Sequence, residues 1–302
     1  MMRNLLRFMI IFAVMSAALS FGAEAVKLRY VASVYSDDKG DALKTPQGVA
    51  CAGNSLLVVA DTGNGRLLKY NSKNGVFLFE KEYKVPELSR PTRLQINSKG
   101  DIFALDEKDQ RITRLNAEGA FIAHVKPAGL PAPESFVPRS FTLDVRDNIY
   151  VLDVFAERVL VLDPAGTFLR EIKFPVTYGF FSDVTVDSGG TVFLLDTVQC
   201  MVYSAPPQAK AFTELTGKLK EYLLFPTNIT LDSTGMMYIT DQNGGAIVIL
   251  NPAGGVMGKQ LGMGWKEGWL RYPSQMCITA AGELFIADRE NNRVQEFMVI
   301  KQ

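Results

Sequence analysis

An aspartate recurs along this chain at an almost fixed interval, each time in the same company. The positions are Asp61, Asp106, Asp153, Asp196, Asp241 and Asp288, at successive spacings of 45, 47, 43, 45 and 47 residues. Fifteen residues before each, with no gap in any copy, stands Pro46, Pro91, Pro138, Phe181, Pro226 or Pro273. Two short apolar runs of strand-like alternation lie between these markers, and a third follows the aspartate after a polar turn. The last copy, PSQMCITAAGELFIADRENNRVQEF over 273–297, shows the whole grammar. A unit this small cannot bury an apolar face alone, so the copies must stack on one another. A period in the forties with four short strands per unit is the signature of a β-propeller blade.

The expected fold is therefore all-β: a six-bladed β-propeller of four-stranded blades. The blades are expected at approximately 45–90, 91–137, 138–180, 181–225, 226–272 and 273–302. Turns between third and fourth strands are explicit in NSKNG (71–75), NAEG (116–119), DPAG (163–166) and NPAG (251–254), where Gly supplies a left-handed backbone. Copy four is irregular, with APPQAKAF at that place. Copy six stops after its third strand, whereas a spare strand-like run lies ahead of copy one at 28–35. The economical solution is a ring closed by that N-terminal strand joining the last blade, which leaves no gap between first and last blades.

The motifs PQGVA and VADTGNGRL in copy one, DNIYVLDVFAERV in copy three and ELFIADRENNRV in copy six resemble the NHL repeat family. Five positions after the Asp that family carries Arg, here Arg66, Arg111, Arg158 and Arg293; copies four and five depart, with Met201 and Ala246. The resemblance covers residues 45–302. It implies the propeller fold and says little about activity, because one fold hosts many functions. Related propellers include a zinc-dependent peptide-amidating lyase, calcium-dependent lactonases and strictosidine-synthase-like proteins. A lyase-like site of several histidines is excluded, because His124 is the one histidine of the chain and falls on an expected outer strand. No G-x-S-x-G, H-E-x-x-H or P-loop motif occurs.

Residues 1–25 read as a signal peptide. Arg3 and Arg7 form a positive start, Phe8–Leu19 an apolar stretch too short for a typical membrane span, and Ala23-Glu24-Ala25 a cleavage site. An exported protein of the periplasm or extracellular space is expected, with an uncleaved N-terminal anchor as the alternative. After cleavage no integral membrane span is expected. Residues 26–302 would carry 30 Lys+Arg against 31 Asp+Glu, a balance that offers no field for nucleic acid. The expected partner is an envelope or extracellular protein.

Three cysteines are an odd number for an oxidising compartment. Counted from the Pro, Cys51 is at offset five and Cys277 at offset four of their first strands, so they point to opposite sides of those strands and no disulfide is expected. Cys200 falls in a turn, where an exposed, incidental thiol is expected.

The same count locates candidate site residues. Offsets three and five are apolar in every copy and read as core. Offsets two and four should approach the central channel. At offset two stand Gly48, Arg93, Ser140, Asp183, Asn228 and Gln275, which makes Arg93, Asp183, Asn228 and Gln275 the ligand-site candidates. Two readings are open: a funnel for a ligand or divalent cation, or a solvated mouth whose polar groups bond to water and each other. If a metal binds, Asp183 and Asn228 are the oxygen ligands on hand and Ca²⁺ the fitting ion, although Arg93 would repel it. No cofactor is otherwise expected.

The recurrent Asp61, Asp106, Asp153, Asp196, Asp241 and Asp288, with Arg66, Arg111, Arg158 and Arg293, read as blade staples, since a catalytic group is needed once and not six times. Trp265 and Trp269, with Tyr178 and Phe180, are candidates for partner contact or for packing over the seams between blades. The residues together point to an exported, non-catalytic propeller presenting its loop-bearing face to a protein or other ligand. The alternatives are a channel-centred, metal-dependent hydrolase of lactonase type and a carbohydrate or cell-wall recognition protein.

Overall fold

The computed structural model describes residues 26–53 and 55–301. The expected signal peptide lies outside them. Six four-stranded antiparallel sheets follow in chain order. Blade one comprises β2 (Gly48–Ala52), β3 (Leu56–Asp61), β4 (Arg66–Lys73) and β5 (Val76–Tyr83). Blade two comprises β6 (Pro91–Ile96), β7 (Ile102–Asp106), β8 (Arg111–Leu115) and β9 (Phe121–His124). Blade three has β10 (Pro138–Leu143), β11 (Ile149–Asp153), β12 (Arg158–Leu162) and β13 (Phe168–Lys173). Blade four has β14 (Phe181–Val186), β15 (Val192–Asp196), β16 (Met201–Ala205) and a two-residue outer strand, β17 (Thr213–Glu214), where the irregular turn falls. Blade five has β18 (Pro226–Leu231), β19 (Met237–Asp241), β20 (Ala246–Leu250) and β21 (Val256–Leu261).

Blade six takes β22 (Pro273–Ile278), β23 (Glu283–Asp288) and β24 (Arg293–Lys301) from the end of the chain and β1 (Val26–Val34) from its start. β1 pairs antiparallel with β24 from Val26↔Lys301 to Val34↔Val294. The ring is closed by the N-terminal strand, with bounds of Val26–Val34 rather than 28–35. The first strands β2, β6, β10, β14, β18 and β22 contact one another in sequence and back to β2, forming the innermost ring.

The core lies between blades. Val49, Leu57 and Val59 of blade one pack with Phe285 and Ala287 of blade six. From the other face of blade one, Ala50, Val58 and Ala60 pack with Leu94, Ile102 and Ala104 of blade two. Both faces of each inner sheet are thus buried, and the front of one blade always meets the back of the next.

That rule overturns the cysteine expectation. Cys51 and Cys277 form a disulfide across the blade one–blade six seam, with a Cα–Cα distance of 5.9 Å and a sequence separation of 226. Opposite offsets on equivalent strands are what a contact between ring-related blades requires, so the parity that argued against the bond favours it. Cys200 is buried rather than exposed. Its thiol lies against the carbonyls of Thr197 and Leu223, and burial pushes its pKa up.

Candidate functional site at the channel mouth

The six repeated aspartates are all fully buried. Each accepts a hydrogen bond from a backbone N–H on the segment leading into its own blade: Lys44, Ser89, Val137, Gly179, Leu224 and Arg271, at 2.6–3.1 Å. Asp106, Asp153 and Asp196 also take N–H groups of the turn that follows them. A buried carboxylate is stable only when its lone pairs are met this way. For Asp106, burial opposes ionisation, but backbone N–H groups led by that of Arg90 hold the carboxyl below its usual range.

The arginine half of the staple is uneven. Arg66, Arg158 and Arg293 donate from Nε to their aspartates at 2.7, 3.0 and 2.7 Å, well out of solvent. Arg111 does not reach Asp106 and pairs with the half-exposed Asp109 at 2.9 Å. In blade five, which lacks the Arg, Lys259 from the outer strand approaches Asp241 at 3.4 Å. These aspartates pin the loop-bearing ends of the blades around the channel.

Between offsets zero and two, five of the six first strands carry a register shift, at Pro91/Arg93, Pro138/Ser140, Phe181/Asp183, Pro226/Asn228 and Pro273/Met276. A bulge leaves one residue unpaired and re-aims the strand end. The offset-one residues Gln47, Thr92, Arg139, Thr227 and Ser274 therefore line the mouth. Their companions are residues following the aspartates: Glu107, Val154, Gln242 and Arg289. Together they bound a pocket of about 340 Å³.

Three of the four offset-two candidates sit beneath this pocket rather than in its wall. Asp183 accepts from Ser140 Oγ, from Asn228 Nδ2 at 2.6 Å and from the Ile229 N–H at 2.8 Å. Asn228 Oδ1 accepts the Met276 N–H at 2.9 Å. Gln275 Oε1 accepts from the N–H groups of Val49 and Leu94 while its Nε2 donates to the Leu94 carbonyl. Each side chain thus bonds the first strand of the next blade. Gly48 of blade one has no side chain with which to reach blade two, and Gln275 spans that place as well.

Offset four faces a neighbouring blade and not the channel, as Ala50 and Cys277 show. The lone pairs of Asp183 and of Asn228 Oδ1 are engaged in the belt. Among the described residues, no group of three or more His, Cys, Asp or Glu is placed to hold a metal ion.

Arg93 is the offset-two candidate that does line the pocket. It donates from Nη2 to the Thr227 carbonyl at 2.7 Å, a bond between blades two and five on opposite sides of the ring. Arg93 Nη1 and Thr227 Oγ1 are both buried without a hydrogen-bond partner. Arg139 lies over the Phe180 ring at 5.1 Å. Burial, and then the like charge of Arg93, lower the pKa of Arg139. Arg289 pairs with Glu290 at 3.2 Å and lies over Tyr272.

Arg139, Thr227 and Arg289 were not among the sequence candidates. Their signal, a polar residue one position after the repeat Pro or Asp, becomes readable only with the bulge in hand. Of the aromatic candidates, Tyr178 is a packing residue: it stacks on Phe181 at 5.0 Å and donates to Glu157 at 2.8 Å. Burial, aided by Glu157, pushes its pKa up to about 12. Phe180 forms the floor under Arg139. Trp269 rests on the backbone of Gly262 and Gly264, where a Cβ would come within 3.0 and 3.1 Å of it. Trp265 stands 76% exposed.

A family described as a 6-bladed beta-propeller matches residues 84–246. The chain belongs to this family. An NHL repeat also matches at residues 270–297. Solved propellers of similar shape include the virginiamycin B lyase of Staphylococcus aureus (14% identity, TM-score 0.61, covering 91% of this chain and 99% of that one). Another is a gluconolactonase, XC5397, of Xanthomonas campestris (12%, TM-score 0.65, 91% and 98%). A third is a protein of unknown function from Bacteroides thetaiotaomicron (14%, TM-score 0.67, 92% and 76%). At these identities the likeness to this propeller is one of fold.

Proposed function

We propose that this propeller is an exported, non-catalytic binding protein whose ligand seats at the channel mouth on the loop-bearing face. The observation that carries the reading is the pocket itself. It is walled by side chains from several blades, and two of its buried polar atoms, Arg93 Nη1 and Thr227 Oγ1, have no partner within the protein. Buried polar groups are nearly always satisfied, so a pair left open at a pocket wall marks a place for an incoming group. The engagement of Asp183 and Asn228 in the belt supports binding over metal-dependent hydrolysis. The positive start, apolar stretch and cleavage motif within residues 1–25 support export, and with it an envelope or extracellular partner or ligand.

The test is a thermal-shift screen of the purified protein against neutral sugars, esters, lactones and small anions, repeated with Gln242→Trp. Gln242 lines the pocket and its side chain makes no hydrogen bond, so the indole fills the mouth without breaking the ring. A ligand at 100 times its dissociation constant stabilises by about 2.7 kcal/mol, roughly 4 °C for a domain of this size. Shifts of that size, lost in Gln242→Trp and without turnover of any ester or lactone, are expected. Turnover abolished by Asp183→Ala would replace the binding reading with the hydrolase one.

A further inference from the structure

Outside the repeat staples, arginines are unevenly placed on this ring. Arg93 and Arg139 come from adjacent blades and meet in one pocket, and Arg289 joins them across the mouth. Nearby carboxylates do not neutralise the first two. Asp106 is held by backbone N–H groups, and Glu107 pairs with Arg90 at 3.0 Å. Asp183 is enclosed by Ser140, Asn228 and the Ile229 N–H. Glu290 is engaged by Arg289.

Arg139 makes no ion pair or hydrogen bond among the described residues and is steadied by the Phe180 ring alone. Two guanidinium groups brought together at a partly desolvated site repel each other, and the arrangement is relieved by an anion between them. Guanidinium forks also match the planar carboxylate and the phosphate oxygens in geometry.

We propose that the channel mouth binds a small molecule through an anionic group, a carboxylate or a phosphate, held between Arg93 and Arg139 with the Thr227 hydroxyl beside them. The assignment rests on the channel-mouth reading above and names its ligand chemistry. Arg93 supplies the fixed donor, since Nη2 is anchored on the Thr227 carbonyl and Nη1 is left to the ligand. Arg139 supplies the adjustable one, because nothing polar holds it. Arg289, lying over Tyr272 at the rim, meets a second charge on a larger anion. The pocket volume of about 340 Å³ admits a metabolite-sized anion and excludes a folded macromolecule from its floor.

The test is isothermal titration of the purified protein with inorganic phosphate and, separately, with citrate as a polycarboxylate. Saturable binding of at least one is expected. Loss of a charge-assisted contact in Arg139→Gln weakens it about tenfold or more. Arg139→Lys restores part of the affinity, and Lys99→Gln, an exposed charge outside the pocket, leaves it unchanged. Arg93→Gln is expected to abolish binding, but Arg93 also links opposite blades, so Arg139 carries the decision.

No saturable uptake of either anion, or uptake indifferent to Arg139→Gln, overturns the anion assignment. If neutral ligands from the screen then bind in a manner lost in Gln242→Trp, the channel-mouth reading stands without it. If no ligand responds to Gln242→Trp, that reading fails as well.

Discussion

Asp183 and Arg93 hold the same offset in blades four and two, yet their surroundings make them opposites. Asp183 lies in the half of the ring where Asn228 and Gln275 also reach forward to the next blade, and its lone pairs are met there. Arg93 lies in the half where donors outnumber acceptors, and one of its nitrogens has no partner. An acid or an amide at this offset can accept the next strand's N–H, whereas a guanidinium has no acceptor to offer. Blades four to six therefore form a satisfied structural belt, and blades two and three a wall with binding capacity left open.

The largest effect expected from breaking this contrast is on the belt. Asp183→Ala would leave Ser140, Asn228 and the Ile229 N–H without their acceptor, at a cost of about 4 kcal/mol in stability. That corresponds to a fall of roughly 7 °C in Tm. A fall of under ~2 °C would mean that the belt is not what binds these blades.

Next is the seam. Reduction of Cys51–Cys277, or Cys51→Ser with Cys277→Ser, should cost about 3 kcal/mol, measured by urea unfolding of oxidised and reduced protein.

The wall should respond in the opposite manner. Arg139→Gln is expected to leave stability within ~0.5 kcal/mol of the parent while anion binding falls. A large loss of stability would reassign Arg139 to the structural half.

A smaller effect is tied to pH. Burial raises the pKa of Glu296, with Ser72 Oγ opposing from 2.9 Å. The folded protein then holds this proton more tightly than the unfolded chain. Stability is lost as pH rises from the unfolded value through the elevated folded one. Glu296→Gln should therefore match the parent in acid and exceed it increasingly above that range, by under ~1 kcal/mol. The comparison is made by urea unfolding at several pH values. The smallest expected change is Trp265→Ala, within ~0.5 kcal/mol in the same assay, because the indole is largely in water.

The staples illustrate how residue type and context share the outcome. The aspartates were readable as structural from recurrence alone, and each is buried on backbone donors. The arginines divide by neighbourhood: Arg158 is fully enclosed between Asp153 and Glu171, whereas Arg111 turns to the exposed Asp109. The channel candidates were only partly legible. Alternation assigns sides correctly along a flat strand, but the shift at offset one rotates the strand end, so Arg139 and Thr227 reach the mouth where Asp183 and Asn228 were expected.

The repeat by itself determined the number of blades, the strand order within each and the closure by the N-terminal strand. Those properties follow from a local period and from the need to bury both faces of every sheet. Tertiary structure alone decided which side chains meet. Ring-related blades join front to back, so Cys51 and Cys277 bond although their offsets differ in parity. Residues 134 apart in sequence, Arg93 and Thr227, are brought across the channel to leave a donor and a hydroxyl facing one pocket. No local pattern encodes that juxtaposition, because it depends on the closing angle of the whole ring.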